Sequence, residues 1–429
     1  MTQDKPFSYG KIFAIGSGFF ALTLGWTFYN AYMPLLLGDY IESRAIRGGI
    51  MGLDNLLAVI LIPFIGAWSD KVDTKLGKRL PFIVVGMPAA ALFFILIPYG
   101  ALNTLWLLLA IDIMFLLAMT IYRAPVIALM PDHTPSEKRS TANGIINLMG
   151  GIGALIALFG LSTLYGIERT YPFIVAGILL LLSFIFLYFT VDRRPPYVGS
   201  SEDEIEEIQA SKSFFHGFGK ILKPEFRGHF FILFAIFLYF IGYAGLEAQF
   251  TVYAVEFLKM EAGKAGFTLG FFSLAFVIFA VPAGLLGSKL GKLPIMLIGL
   301  VILPLTFISI PSLPLLNTVF PELNQVLVLQ LVLFSGGIAW AFINVQAYPL
   351  VADLGGMSKI GFFTGLYYLF SMASSIIAPG LLGLIMDVFS PPSLFYGAAL
   401  TFVIAFYFLK KGSNIVRKNK ALINDSISF

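Results

Sequence analysis

The chain has 429 residues, of which 58% are hydrophobic and 12% charged, with a mean hydropathy of +0.88. A soluble domain carries about 25% charged residues, so a water-soluble protein with an apolar core is excluded, and most soluble enzymes and nucleic-acid-binding modules with it. The isoelectric point near 9.0 reflects a net charge of only +4. The absence of cysteine removes disulfide frameworks and Cys-ligated metals.

A membrane-spanning helix needs ~20 largely apolar residues. In chain order, apolar segments fall at 12–37, 47–69, 80–99, 103–130, 137–165 and 170–191, then at 228–256, 266–289, 292–311, 323–352, 359–387 and 392–411. Residues 1–10 form a short polar tail without the pattern of a cleavable signal. The expected fold is an all-α membrane protein of twelve transmembrane helices in two six-helix bundles. The expected domains are an N-terminal bundle at 1–191, a linker at 192–227, a C-terminal bundle at 228–412 and a tail at 413–429. Placing both termini in the cytoplasm puts 22 Lys and Arg on the inner side and five on the outer, with Arg123 inside a span. That is the bias of a multi-pass protein of the cell membrane. In the linker, Ser201-Glu202-Asp203-Glu204 reads as a capping box, and Ile205 and Ile208 predict a short amphipathic helix.

The two halves resemble each other. Pro63 to Asp70, leading through Lys75-Leu76-Gly77-Lys78-Arg79 to Pro81-Phe82-Ile83, matches Pro282-Ala283-Gly284, leading through Lys289-Leu290-Gly291-Lys292 to Pro294-Ile295. Asp132 with Asn143-Gly144 matches Asp353 with Thr364-Gly365. Paired six-helix repeats around a midplane site are the construction of alternating-access transporters.

Gly66-Ala67-Trp68-Ser69-Asp70 … Gly77-Lys78-Arg79 resembles the loop-2–3 signature of the major facilitator superfamily. The resemblance implies a cytoplasmic gate built from Asp70, Lys78, Arg79, Asp132, Arg139 and Asp353. Four ionisable residues lie within apolar spans: Asp54, Asp112, Arg123 and Glu247. Each costs roughly 2.5–3.5 kcal/mol at the centre of a lone helix, and such residues mark a pathway or pair with backbone and neighbouring helices. Asp112 and Arg123 are eleven residues apart, three turns on nearly one face, with roughly 16 Å of rise between them.

At this point the chain resembles a narrower group. Asp112-Ile113 followed by Arg123-Ala124 is similar to the helix-4 acid and arginine of plant sucrose/proton symporters. Leu53-Asp54-Asn55, Tyr122-Arg123-Ala124-Pro125, Gly242-Tyr243 with Glu247, and Thr364 to Tyr368 resemble bacterial relatives in the glycoside–pentoside–hexuronide group. Leu80 departs from the plant pattern, which has a further basic residue there. The resemblance implies that Asp112 carries the coupling proton and that Arg123 is a sugar contact or charge partner. Glu247 and Asp54 are the rival coupling acids, with Asp54, only about seven residues inside Arg47, expected as an extracellular-side gate or secondary proton site.

The other polar residues suit a sugar site. Trp26, Tyr29, Asn30 and Met33 share one helix face. Asn143 and Asn147 lie one turn apart, as do Tyr239, Tyr243 and Glu247 in succession, with Gln249 just beyond. Trp340 and Asn344 are followed by Gln346 and Tyr348, and helix 11 adds Tyr367, Tyr368, Ser371, Ser374 and Ser375. Amides and carboxyl groups bond hydroxyls, while aromatic rings cover the C–H face of a pyranose. A lipid-facing or core role is the alternative for any single aromatic stripe.

The expected function is proton-coupled symport of a sugar, a disaccharide or glycoside such as sucrose or maltose. A facilitator or proton-coupled exporter of another polar or amphipathic solute is the alternative. No metal or organic cofactor is expected, and the partners are a sugar, membrane lipids and no nucleic acid, with the protein a monomer. An enzyme is not expected. The histidines are His133, His216 and His229, and there is no HExxH, GxSxG or P-loop pattern.

Overall fold

The structure is a computed structural model, and it describes residues 8–197, 223–320, 322–355 and 360–427. The predicted linker helix at Ser201–Ile208 lies outside the described residues. Among the described residues, twelve helices are long and apolar enough to cross a membrane: α1 Tyr9–Gly38, α2 Arg44–Lys71, α3 Leu80–Asn103, α4 Leu105–Asp132, α5 Thr141–Tyr165 and α6 Tyr171–Thr190, then α7 Arg227–Glu256, α8 Ala262–Leu290, α9 Lys292–Leu315, α10 Gln325–Leu354, α11 Phe362–Val388 and α12 Ser393–Asn419. In hydrocarbon each backbone N–H and C=O must be satisfied within its own segment, which the helix achieves. Large apolar side chains on the outside, such as Trp106, Phe189 and Val281, are at home there rather than in water. The all-helical twelve-span fold is therefore as expected from the apolar runs.

The helices depart from an unbroken α pattern at Gly52, which breaks α2, at a 3-10 turn, Ile310–Ser312, in α9 and within α5. Residues Ile156–Leu161 of α5 form a π-helical turn, where Ser162 Oγ donates to the Ala157 carbonyl five residues back at 3.3 Å. Helix α12 continues without interruption to Ile427. It therefore runs through the predicted tail, whose Lys, Arg, Asn and Ala residues contain no Gly or Pro beyond Gly412 to stop it.

The chain packs as two compact units. Unit 1 comprises Met1–Ser43, Leu53–Ser200 and Phe250–Ser273, and unit 2 comprises Arg44–Gly52, Ser201–Gln249 and Leu274–Phe429. Unit 1 is centred on an aromatic core. Phe28 stacks on Tyr32 at 4.4 Å and Tyr32 on Tyr165 at 4.2 Å, while Phe94 and Phe173 close around Phe28. Thr251 donates to the Ala31 carbonyl at 2.5 Å, which ties the end of α7 into this unit. In unit 2, Phe307 meets Phe395 and Phe402 between α9 and α12, and the first turns of α2 pack on α11.

The α2–α3 connection is a tight turn. Gly77 N–H donates to the Thr74 carbonyl at 2.9 Å, and Thr74 Oγ1 both donates to the Gly77 carbonyl and accepts from Leu76 N. Gly77 has φ +83°, and a Cβ there would overlap the Arg193 carbonyl. Only glycine meets both demands.

Candidate functional site

Unit 1 gathers its intramembrane polar groups around one aromatic cluster. Asp112 on α4 is buried to 1% exposure, and the Tyr29 hydroxyl of α1 sits against its carboxylate. The Tyr29 hydroxyl and the Asp112 carboxylate have only each other among the described residues, and Trp26 Nε1 has no hydrogen-bonding partner there. Trp26 meets Tyr29 edge-on at 5.8 Å, and Phe115 lies 5.4 Å from Tyr29 and 6.1 Å from Trp26. The Arg123 guanidinium lies over the Trp26 ring at 5.9 Å. The acid and the arginine, three turns apart on α4, are thus joined through the Tyr29–Trp26 pair of α1. Asp54, in the first turn after the break in α2, is 8% exposed and accepts from its neighbour Asn55 through Nδ2 at 2.6 Å. It lies within electrostatic reach of Arg123 and Asp112.

Three buried polar atoms that have at most one another as partners, one of them on a carboxylate, are costly unless a ligand or water completes them. Here they are an indole donor, a phenol that can donate or accept, and a carboxyl oxygen. A hydroxyl-bearing ligand satisfies all three. Phe115, three residues after Asp112 on the same face, was not singled out by sequence reasoning; its i+3 spacing was the available signal. Asn30 is half-buried on the same helix as Tyr29, and Asn143 and Asn147 are exposed on α5, where Asn147 Nδ2 donates to the Asn143 carbonyl at 2.9 Å.

Unit 2 holds an aromatic assembly. Tyr243 of α7 stacks on Trp340 of α10 at 4.0 Å with an interplanar angle of 4°. Tyr239 and Phe240 meet Trp340 edge-on, and Phe240 continues to Tyr367, with Tyr348 and Tyr368 beyond. Glu247 and Asn344 are half-buried. Two glutamines read as site residues are engaged in helix packing. Gln249 Nε2 donates to the carbonyls of Arg44 and Pro379, and Gln346 Nε2 donates to the Ala283 carbonyl at 2.7 Å.

The predicted gate residues divide. Arg79 is paired with Asp70 and, through Nε, with Asp132 at 2.9 Å, and its Nη1 donates to Ser69 Oγ at 2.6 Å. Burial disfavours the guanidinium charge, but Asp132 and Asp70 outweigh it and hold Arg79 above its ordinary value. In unit 2, Asp353 pairs with Lys292 at 2.6 Å, so the second copy of the loop supplies a partner that had been seen only as part of the repeat. Lys78 is half-buried and Arg139 exposed, and neither forms an ion pair among the described residues. His133, next to Asp132, is 4% exposed; its Nδ1 bonds the Leu129 carbonyl at 2.8 Å and burial pushes the imidazole below its ordinary value. No cluster of metal-ligating side chains occurs among the described residues.

The sequence pattern of the Major Facilitator Superfamily matches residues 15–370 and 258–422. The chain belongs to this family. It is a facilitator-superfamily transport protein of the membrane rather than an enzyme. Among curated relatives it is 26% identical over 316 residues to "Tetracycline resistance protein, class D" of Salmonella ordonez, covering 72% of this chain and 73% of that one. It is 28% identical over 163 residues to "Sucrose transport protein SUC3" of Arabidopsis thaliana, covering 31% of this chain and 26% of that one. Among solved structures it superposes on a mutant of the nucleoside transporter NupG with a TM-score of 0.72 at 16% identity, covering 93% of this chain and 98% of that one. This last likeness shows the shared fold.

Proposed function

We propose that the protein is a proton-coupled symporter of a sugar, a disaccharide or glycoside, working by alternating access with both termini in the cytoplasm. The observation that carries the reading is the cluster of Asp112, Tyr29 and Trp26, whose buried polar atoms have no partner outside the cluster among the described residues. The partial similarity to a sucrose transport protein supports it. Protonated Asp112 donates to a sugar hydroxyl, while Tyr29 and Trp26 bond further hydroxyls and Arg123 lies at the far side of the indole. Sugar and proton then stabilise the same state of unit 1. Neutralising the acid lowers the cost of moving it through a low-dielectric path, so the loaded carrier reorients more readily than the proton-free one.

One charge moved down 100 mV yields about 2.3 kcal/mol, or roughly a fiftyfold sugar gradient. In proteoliposomes with an imposed inward proton gradient and potential, labelled sucrose or maltose is expected to accumulate. Asp112→Asn exchanges sugar without accumulating it. Undiminished uphill uptake by Asp112→Asn refutes the assignment. The second reading, proton-driven export of an amphipathic solute, is favoured by the longer similarity to a tetracycline resistance protein. It predicts pH-driven movement of such a solute outward and no saccharide uptake in the same vesicles.

A further inference from the structure

Unit 2 carries a basic surface where α7 begins and α12 leaves its apolar stretch. The two helices cross at a close approach. A Cβ on Gly228 would lie 3.0 Å from the Gly412 carbonyl, and one on Gly412 would lie 2.7 Å from the Gly228 carbonyl. This crossing brings Arg227 and Lys411 to one ring. Arg227 Cζ lies 5.3 Å and Lys411 Nζ 5.6 Å from the centroid of Phe231. Lys411 also donates to the Tyr407 hydroxyl at 2.8 Å, and Lys410 lies 5.9 Å from Phe406. Arg417 and Lys418 follow on α12, both exposed. None of these five cations forms an ion pair among the described residues. Arg227 and Lys411 repel each other across a shared ring with no carboxylate described between them.

The chemistry of what sits there is indicated by α12. Tyr396, Leu400, Val403 and Tyr407 are all about half exposed or more and follow one another at i+4, i+3 and i+4. That stripe is the lipid-facing side of the helix, and its next positions are Lys411 and then Lys418. An apolar stripe that runs directly into paired cations fits a molecule with acyl chains and an anionic head. We propose that the α7–α12 crossing binds the phosphate of an anionic phospholipid, with Arg227 and Lys411 clasping the phosphate and the stripe from Tyr396 to Tyr407 lying along the acyl chains. Juxtamembrane cations attract anionic lipid with about 1 kcal/mol each, and guanidinium bonds phosphate oxygens in bidentate fashion. The leaflet follows from the proposed cytoplasmic termini. The binding itself does not depend on that placement or on the transported solute.

The test is native mass spectrometry of the full-length protein in mild detergent, offered phosphatidylglycerol or phosphatidylcholine with the same acyl chains. Phosphatidylglycerol is expected to be retained and phosphatidylcholine lost. Arg227→Gln with Lys411→Gln weakens retention about thirtyfold, whereas Lys75→Gln, an exposed lysine of the α2–α3 turn, leaves it unchanged. The charge-conserving pair Arg227→Lys and Lys411→Arg retains lipid, which separates loss of charge from loss of fold. Equal retention of the two lipids, full retention by the double glutamine variant, or binding of inorganic phosphate as tight as that of the lipid overturns the proposal.

Discussion

Arg79 is held by two acids of unequal burial, and that inequality sets a quantitative expectation. The Arg79 side chain is 11% exposed, Asp132 8% and Asp70 36%. Removing the cation by Arg79→Ala strands a buried carboxylate at Asp132, and breaking a buried pair in this way costs about 3–5 kcal/mol. Asp132→Asn leaves Arg79 still paired with Asp70, so the loss is that of one charge-assisted hydrogen bond, about 1.5–3 kcal/mol. Asp70→Asn acts at a partly solvated pair and costs no more than about 1 kcal/mol. Combining Arg79→Ala with Asp132→Asn removes the stranded charge, so the double variant is more stable than the sum of the single losses requires. Unfolding in mixed micelles, followed by tryptophan fluorescence, measures all four quantities as a double-mutant cycle. Asp70→Asn costing as much as Asp132→Asn, or strict additivity in the double variant, refutes the assignment of Asp132 as the principal partner.

Two further expectations concern the same end of unit 1. His133 has a folded-state value depressed by burial, with Asp192 and Asp132 opposing the effect and Lys11 adding to it. Its contribution to stability is therefore complete above the ordinary value of about 6.5 and is lost as pH falls below it. His133→Gln should flatten the pH dependence of the unfolding midpoint below the ordinary histidine value of about 6.5, and an unchanged slope there excludes the histidine. Gly77→Ala places a side chain at φ +83° and against the Arg193 carbonyl. The backbone penalty alone is about 1–2 kcal/mol, so this variant should lower the unfolding midpoint more than Lys75→Ala in the same turn, and equal midpoints contradict the tight packing of the loop.

The helices were legible because hydrocarbon leaves an apolar run few alternatives to the helix. The four intramembrane charges were legible for a related reason, since each is expensive enough to stand out. Partnership was harder to read. Helical spacing puts Trp26 and Tyr29 on one face of α1 and Asp112 with Phe115 on one face of α4, yet it does not say that these two faces meet. Gln249 and Gln346 show the limit in the other direction. Their amides suit a sugar equally well, but a neighbouring helix presents backbone carbonyls within reach, and no pattern in a single chain reveals that. Lys292 was visible as part of a repeat while its pairing with Asp353 depended on the fold of α9 against α10.

The π-helical turn at Ile156–Leu161 has a consequence for any comparison of α5 with a straight helix. A π turn accommodates one residue more than an α turn, and each residue advances a helix by about 100°. Ser162 and Tyr165 therefore stand about a quarter-turn out of phase with the positions that a helical wheel drawn from Asn143 and Asn147 assigns them. Aligned without a gap to a relative that lacks the turn, every residue beyond it would be compared with one on a different side. Deleting a single residue from Ile156–Leu161 should rotate the far end of α5 back into phase and move Tyr165 out of its stack with Tyr32, making helix phase, rather than residue identity, the property that this segment encodes.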